Sequence, residues 1–557
     1  MAKTTRTRGL STLLCGGSIL ICASMSAAPV WAQRATAAED ARIARLEAAV
    51  SALQAQVQAQ SGLAAENAAL NDRVNQLQAK VTDLTVATAR PVAIAAEPAA
   101  KSKGPLVNTT FNNGEVGLAT ADNKFSLNLF ALVQLDAGFY DQAASGPVAG
   151  DLRRTGPALG FSAANTDAAH ARQLKDGDDF RRGRFGVNGT LFRDFQYRGV
   201  YDFGGSGVEN SGQLYEAWAQ YNGLKPLHIR IGAFAPLQGL ADQDSTAAQP
   251  LLERAASADV ARNFAAGDTR TAAEIFGYGD HWLASAAVTG RTVGVVNTSL
   301  TGTAQTFGDP LAFVGRLAAT PFHGDDWRIH VGVHGQYLDR PANVSGPAAS
   351  GLTPIIGRTV AFSDQAELRI DGTRLINTGN IDARHAANEG VEFAAQWRAL
   401  LMQSEYDHFD VERAAVGVSN PHFQGFYVEG SWLVTGEARR YNSASAAFDA
   451  PTVRHPLGAN GGFGAVELTA RYSDMNLNYH AGAPGAAPFA DSVRGGELQV
   501  WTAGLNWYLN AYIRLALEGQ HVKLDRLSPD ALTYGTPVGA QIGQSYNAVA
   551  LRSQFGF

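Results

Sequence analysis

The sequence predicts an all-β transmembrane protein, a roughly sixteen-stranded antiparallel up-and-down β-barrel with an N-terminal helical coiled coil. Three observations predict it. Hydrophobic residues make up 45% and charged residues 17% of the 557 positions, yet past the N-terminus no uncharged apolar run approaches the ~20 residues a membrane helix needs. Glycine and phenylalanine are plentiful, at 59 and 26, as transmembrane strands require when only alternate residues face lipid. From Asn108 to Phe557 the chain runs in stretches of about ten residues with period-two alternation, divided in turn by short polar turns and longer loops.

Residues 1–32 read as a secretory signal. Lys3, Arg6 and Arg8 give a positive start, Leu10 to Ala23 is apolar or small, and Val30-Trp31-Ala32 offers small side chains at the cleavage positions. Both cysteines, Cys15 and Cys22, fall inside this segment, so the mature chain is expected to hold no thiol, disulfide or cysteine-bound metal.

Residues 33–84 are expected to form a periplasmic coiled coil. Ile43, Leu46, Val50, Leu53 and Val57 step by three and four, as do Leu70, Val74, Leu77, Val81 and Leu84. Gln60, Leu63 and Asn67 carry the seam between them with one three-residue shortening, which overwinds the supercoil locally. β-branched residues at one core position and Leu at the other favour two strands, and Asn67 in the core fixes register. Residues 85–107 are rich in Ala and Pro, with Pro91, Pro98 and Pro105, and read as a semi-extended linker.

The barrel is assigned to residues 108–557. Phe185, Val187 and Leu191 share one face opposite Arg182, Arg184, Asn188 and Thr190, and Ile329, Val331, Val333 and Tyr337 oppose Arg328, His330, His334 and Gln336. Val391, Phe393, Ala395 and Trp397 oppose Glu392, Gln396 and Arg398 in the same way, and Ile513, Leu515 and Leu517 oppose Arg514, Glu518 and Gln520. A soluble sandwich alternates too, with its polar face outward, and alternation alone does not say which face is wet. The chain ends on a strand with Val549, Leu551, Phe555 and Phe557 on one face. A terminal aromatic there resembles the signal read by outer-membrane barrel-assembly machinery, which together with the export signal favours the barrel. About sixteen strands leave a lumen open to water.

Charge in the barrel region is lopsided. Residues 108–557 contain 30 Arg, only 4 Lys, and 44 Asp and Glu. Strand parity points Arg182, Arg184, Arg198, Arg230, Arg316, Arg328, Arg369, Arg398, Arg471, Arg514 and Arg552 into the lumen, because each would cost ~2–4 kcal/mol on the lipid face near the midplane. Fixed guanidinium charge suits an anion path. Asp136, Asp202, Glu216, Glu392, Glu405, Glu467 and Glu518 fall on the same inward face, so the arginines read equally well as braces paired with carboxylates.

Specific motifs accompany this pattern: Phe180-Arg181-Arg182-Gly183-Arg184, Tyr215-Glu216-Ala217-Trp218, Ile231-Gly232-Ala233-Phe234-Ala235-Pro236, Leu252-Glu253-Arg254-Ala255 and Gly504-Leu505-Asn506-Trp507-Tyr508-Leu509-Asn510. In this order they resemble the phosphate-selective porins O and P, over about residues 123 to 557. The resemblance implies a homotrimeric sixteen-stranded porin of a Gram-negative outer membrane, passing small inorganic anions, phosphate or polyphosphate among them, along an arginine-lined lumen. It implies that the third long loop, here Gly239 to Ala266, folds inward as a constriction carrying Glu253, Arg254 and Arg262. The family's phosphate preference also involves lysines at the pore mouth. Only Lys124, Lys175, Lys225 and Lys523 are present here, which leaves a general, weakly selective porin as the alternative.

Other classes fit less well. An enzyme would need a nucleophile and base gathered on one rim, and the 12 histidines are scattered. No phosphate-binding glycine loop, metal-ligand cluster or nucleic-acid motif appears, and no cofactor is expected. A tether remains compatible with transport: about 46 helical residues at 1.5 Å each reach roughly 70 Å, far enough to approach peptidoglycan or another periplasmic partner.

Overall fold

The computed structural model describes residues 107–112, 115–142, 174–205, 212–265, 269–293, 310–342, 357–458, 461–530 and 537–557, with residue 76. Apart from residues 76 and 107, the expected signal, coiled coil and linker lie outside the described residues.

A small ribbon, β1 (Val107–Asn112) and β2 (Glu115–Thr120), leads into β3 (Ser126–Gln142), the first strand of the wall. The wall continues through β4 (Gly177–Leu191), β5 (Phe195–Asp202), β6 (Gln213–Leu224), β7 (Leu227–Phe234), β8 (Arg270–Tyr278), β9 (Trp282–Thr292), β10 (Leu311–His323) and β11 (Trp327–Arg340). Two inner ribbons interrupt it, β12 (Thr359–Val360) with β15 (Ile381–Asp382) and β13 (Ser363–Asp364) with β14 (Ile376–Asn377). It resumes as β16 (His385–Trp397), β17 (Leu400–Glu412) and β18 (His422–Leu433). An inner hairpin follows, β19 (Arg439–Asn442) and β20 (Ala447–Pro451), before β21 (Ala465–Tyr479), β22 (Val493–Tyr508), β23 (Ile513–Asp525) and β24 (Tyr546–Gly556).

Neighbouring wall strands are antiparallel, and β24 pairs back onto β3, with Phe555 opposite Val133 and Tyr546 opposite Gln142. The result is a closed sixteen-stranded barrel with no free edge. The terminal residue takes part in closure, since Phe557 exchanges both backbone hydrogen bonds with Ala131 at 3.0 Å. Its ring lies edge-on to Phe555, whose side chain faces outward.

Burial supplies the direction that alternation alone lacks. Along β23 and β24, Leu517, Val549 and Leu551 are about half exposed while Arg514, Glu518 and Arg552 are buried. Apolar side chains thus face outward and charged ones inward, the reverse of a soluble sandwich and the pattern a hydrocarbon solvent demands. Trp282, Trp327, Trp397 and Trp432 stand exposed beside the short turns, as an aromatic girdle at one membrane interface would.

Among the described residues, three inserts enter the interior. Residues 235–265 enter from the long-loop end between β7 and β8, and residues 357–384 enter from that end between β11 and β16. The β19–β20 hairpin enters from the opposite, short-turn end, between β18 and β21. Phe362 stacks on Phe264 and packs edge-on against Phe409 and Phe423, so the second insert seals the first against the wall.

Candidate functional site

The site grows from an irregularity in β4. In a regular strand Arg181 and Arg182 would point to opposite faces. The ladder between β3 and β4 slips between Gln134 and Asp136, and both arginines are buried on the lumen side. Parity therefore misses Arg181; the doubled arginine beside Gly183 is the only trace it leaves in the sequence.

Both guanidiniums reach Glu253 of the first insert. Arg181 donates to its two oxygens at 2.9 and 3.2 Å and Arg182 at 3.2 and 3.0 Å. Arg552 of β24 adds a bond at 2.7 Å, and Arg369 of the second insert comes within 3.7 Å. Burial by itself would raise the Glu253 carboxyl, but Arg181, Arg182, Arg552 and Arg369 hold it well below the usual carboxylate range.

The insert is stapled from inside. Arg254 donates to the carbonyls of Ala241, Asp242 and Asp244, and Arg262, on the helix Ala256–Ala265, pairs with Asp242 at 2.6 Å. The one-turn helix Leu240–Gln243 offers the amides of Leu240 and Ala241 to Glu405 of β17. Gly239 permits this approach: its φ is +37°, and a Cβ there would meet Glu405 Oε1 at 2.8 Å.

The far wall is a block of paired charges. Arg316 grips Glu392 through two bonds of 2.9 and 2.7 Å and also caps the hairpin carbonyls of Ser445 and Ala446. Glu392 further contacts His330 and His334, and the second nitrogen of His334 lies 3.0 Å from Asp407. His334, Glu392 and Glu405 bring candidate metal-ligand atoms within 4.8 Å of one another. Each is already engaged: Glu392 by Arg316 and both imidazoles, Glu405 by two backbone amides and the Tyr427 hydroxyl at 2.8 Å. Arg439 pairs with Glu467, and Arg471 bridges Glu367 and Glu429.

Open space lies on the other side of the barrel. A cavity of about 530 Å³ at the short-turn end is lined by Arg184, Arg198, Arg230, Arg254, Arg262, Arg440 and Arg514, with Glu216, Asp242, Asp244 and Asp449 among them. Several of these arginines lie over aromatic rings, Arg184 on Tyr215, Arg198 on Phe130 and Arg230 on Trp218. A second space, of about 20 Å³, shares Arg184, Arg254 and Arg262 with that cavity and lies between these and Arg181, Arg182 and Arg369, with Glu253 and Asp259. That is room for about one water molecule.

The sequence-predicted arginines thus divide. Arg184 pairs with Asp202 at 2.8 Å and Arg198 with Glu216 at 2.8 Å, and Arg230 sits 3.8 Å from Glu274. Arg514 holds Asn506 and the carbonyls of Gln249 and Pro250, and Arg552 holds Asp136. Arg328 lies over the Tyr441 ring. Two placements differ from strand parity. Arg369 lies between β13 and β14 on the second insert, not on the wall, where it meets Asp259. Arg398 occupies the turn between β16 and β17 with φ +51°, two-thirds exposed and paired with Asp326, because the strand ends at Trp397. Parity also gave no sign of Arg439, Arg440 or Glu367, which belong to inserts.

Comparison with known proteins adds to this geometry. A family model described as "Phosphate-selective porin O and P" matches residues 157–557. Porin O of Pseudomonas aeruginosa is 24% identical over 423 residues, covering 74% of this chain and 87% of that protein. Among solved structures, the outer membrane channel DcaP of Acinetobacter baumannii is similar with a TM-score of 0.40 at 12% identity, covering 79% of this chain and 99% of that one. An anion-selective porin from Comamonas acidovorans gives 0.38 at 12% identity, covering 78% and 100%.

Proposed function

The chain belongs to the phosphate-selective porin O and P family, and from that membership and its arginine geometry we propose that it is an outer-membrane porin for passive diffusion of small anions, phosphate or polyphosphate included. The observation that carries the reading is the convergence of six arginines around one small interior space, beside a wider cavity also rich in arginine. Guanidinium stays ionised and offers several donors to phosphate oxygens, so it serves where an anion sheds part of its hydration. Residues 235–265 act as the constriction, with Arg181, Arg182, Arg184 and Arg369 along the path. Because the space among these arginines has room for about one water, an anion passing there displaces side chains, guanidiniums exchanging one partner for another.

The short turns and Phe557 face the periplasm in this reading, and the long loops face outward. The signal segment 1–32 exports the chain, residues 33–84 form the periplasmic coiled coil, and 85–107 link it to the barrel. The barrels assemble as trimers, and the coiled coil serves as a tether to peptidoglycan or a periplasmic partner.

A second reading, the general weakly selective porin, is favoured by the pairing of Arg316, Arg439 and Arg471 with buried carboxylates. Those arginines are braces, and the two readings differ only over the remaining path. Reversal potential across a planar bilayer under a KCl gradient, repeated with phosphate, separates them. Anion selectivity with phosphate blocking chloride current is expected; cation selectivity, or no phosphate effect, would leave the general porin.

A further inference from the structure

Glu253 sits where an anion would. Its two oxygens receive five guanidinium bonds of 2.7 to 3.2 Å from Arg181, Arg182 and Arg552, and Arg369 stands 3.7 Å away. A carboxylate offers about four lone-pair sites, so this donor set exceeds what one carboxylate can accept with good geometry. Arg182 Nε, moreover, is buried without a hydrogen-bond partner. A tetrahedral oxyanion, with four oxygens and up to two or three charges, matches such a cluster better than the residue now in it.

We propose that Glu253 is a tethered stand-in for the permeating anion, occupying an oxyanion site built by Arg181, Arg182, Arg369 and Arg552, from which a phosphate displaces it. The proposal rests on the anion-channel reading above. Without a counter-charge, four clustered guanidiniums would repel one another and bind phosphate too tightly to release it. Asp136 on Arg552 and Asp259 on Arg369 offset part of that charge, and Glu253 offsets more. A tethered carboxylate competes at high local concentration, which weakens net binding and returns the site to its resting state after each passage. The backbone is held independently of this side chain: Leu252 N donates to Glu518 at 2.8 Å, and Arg471 donates to the Glu253 carbonyl at 3.0 Å. The carboxylate can therefore leave while the loop stays anchored.

The test uses full-length protein in planar bilayers, with inorganic phosphate titrated against chloride current for wild type, Glu253→Gln and Glu253→Asp. With the competitor neutralised, the half-blocking phosphate concentration in E253Q should fall by about tenfold or more, a change equal to one decade of affinity. E253D keeps the charge but withdraws it by one methylene, so it should lie between. Unchanged or weaker block in E253Q, in protein that still runs as a folded heat-modifiable barrel, overturns the proposal and makes Glu253 a structural clamp. If E253Q does not fold, E253D decides, because tighter block supports displacement and weaker block refutes it. Reversal potentials on the same bilayers keep the two ideas apart: cation selectivity in wild type sinks the anion channel itself, whereas anion selectivity with unaltered phosphate block sinks only the stand-in.

Discussion

The backbone amide of Phe448 donates to Asp244 Oδ1 at 3.1 Å, so the insert from the long-loop end and the hairpin from the short-turn end meet inside the barrel. Burial pushes the Asp244 carboxyl up to about 7, against the lowering pull of Gln403 and Arg439. A carboxyl with a raised folded value binds more protons folded than unfolded between the ordinary 3.8 and about 7, so its contribution to stability falls as pH rises through that window. Raising pH from 5 to 8 should loosen the junction. Hydrogen-exchange protection factors of amides in 240–246 and 440–450, referred to the intrinsic rate at each pH, should fall over that range in wild type and change less in Asp244→Asn.

The Arg316–Glu392 pair is expected to be structural. Both side chains are buried, and removing one partner strands the other's charge. Arg316→Ala should lower unfolding stability by ~3–5 kcal/mol, a loss the double change Arg316→Met with Glu392→Leu should largely avoid. Guanidinium unfolding of detergent-folded protein, followed by tryptophan fluorescence, measures both. Equal losses in the two variants would contradict the brace.

Arg198 and Glu216 form a more accessible pair, about a quarter exposed on each side, facing the wide cavity. Glu216→Gln releases a guanidinium toward the path, and the anion-to-cation permeability ratio should rise. Arg198→Gln should lower it. Stability should move by less than about 1 kcal/mol in either case, as for other accessible pairs. Opposite shifts in reversal potential are the expected readout, and shifts of the same sign would remove Arg198 from the path.

The wall was legible because its signal is periodic: Phe185 and Val187 against Arg184 and Asn188 fix a face within a few residues. Which face met lipid was not legible from that pattern, since inside and outside exchange without changing the period. Parity fails where the strand does. Arg398 follows the last residue of β16, Arg369 rides on an insert, and Arg181 turns inward through a slip that depends on the partner strand. The insert 357–384 is a further omission, and so is the hairpin. Its partners lie far off in the chain, with Arg316 bound to a carbonyl 129 residues away, and no local propensity encodes such a contact.

That hairpin carries the last prediction. Through Ser445, Tyr441 and Arg439 it packs against the side of the lumen held by Arg316, His330 and Gln396, and its Arg440 and Asp449 reach the edge of the arginine-rich cavity, which otherwise borders β3 to β7 and β22 to β24. Replacing residues 440–451 by a short turn keeps Arg439 beside Glu467 and leaves every wall ladder intact, since β18 pairs directly with β21. The barrel should still fold and migrate as a heat-modifiable species. Single-channel conductance should rise several-fold as water fills the vacated half, and phosphate should block a smaller fraction of the current, because ions then bypass the arginine cluster. Unchanged conductance with unchanged block would mean that another insert seals that half of the lumen without the hairpin.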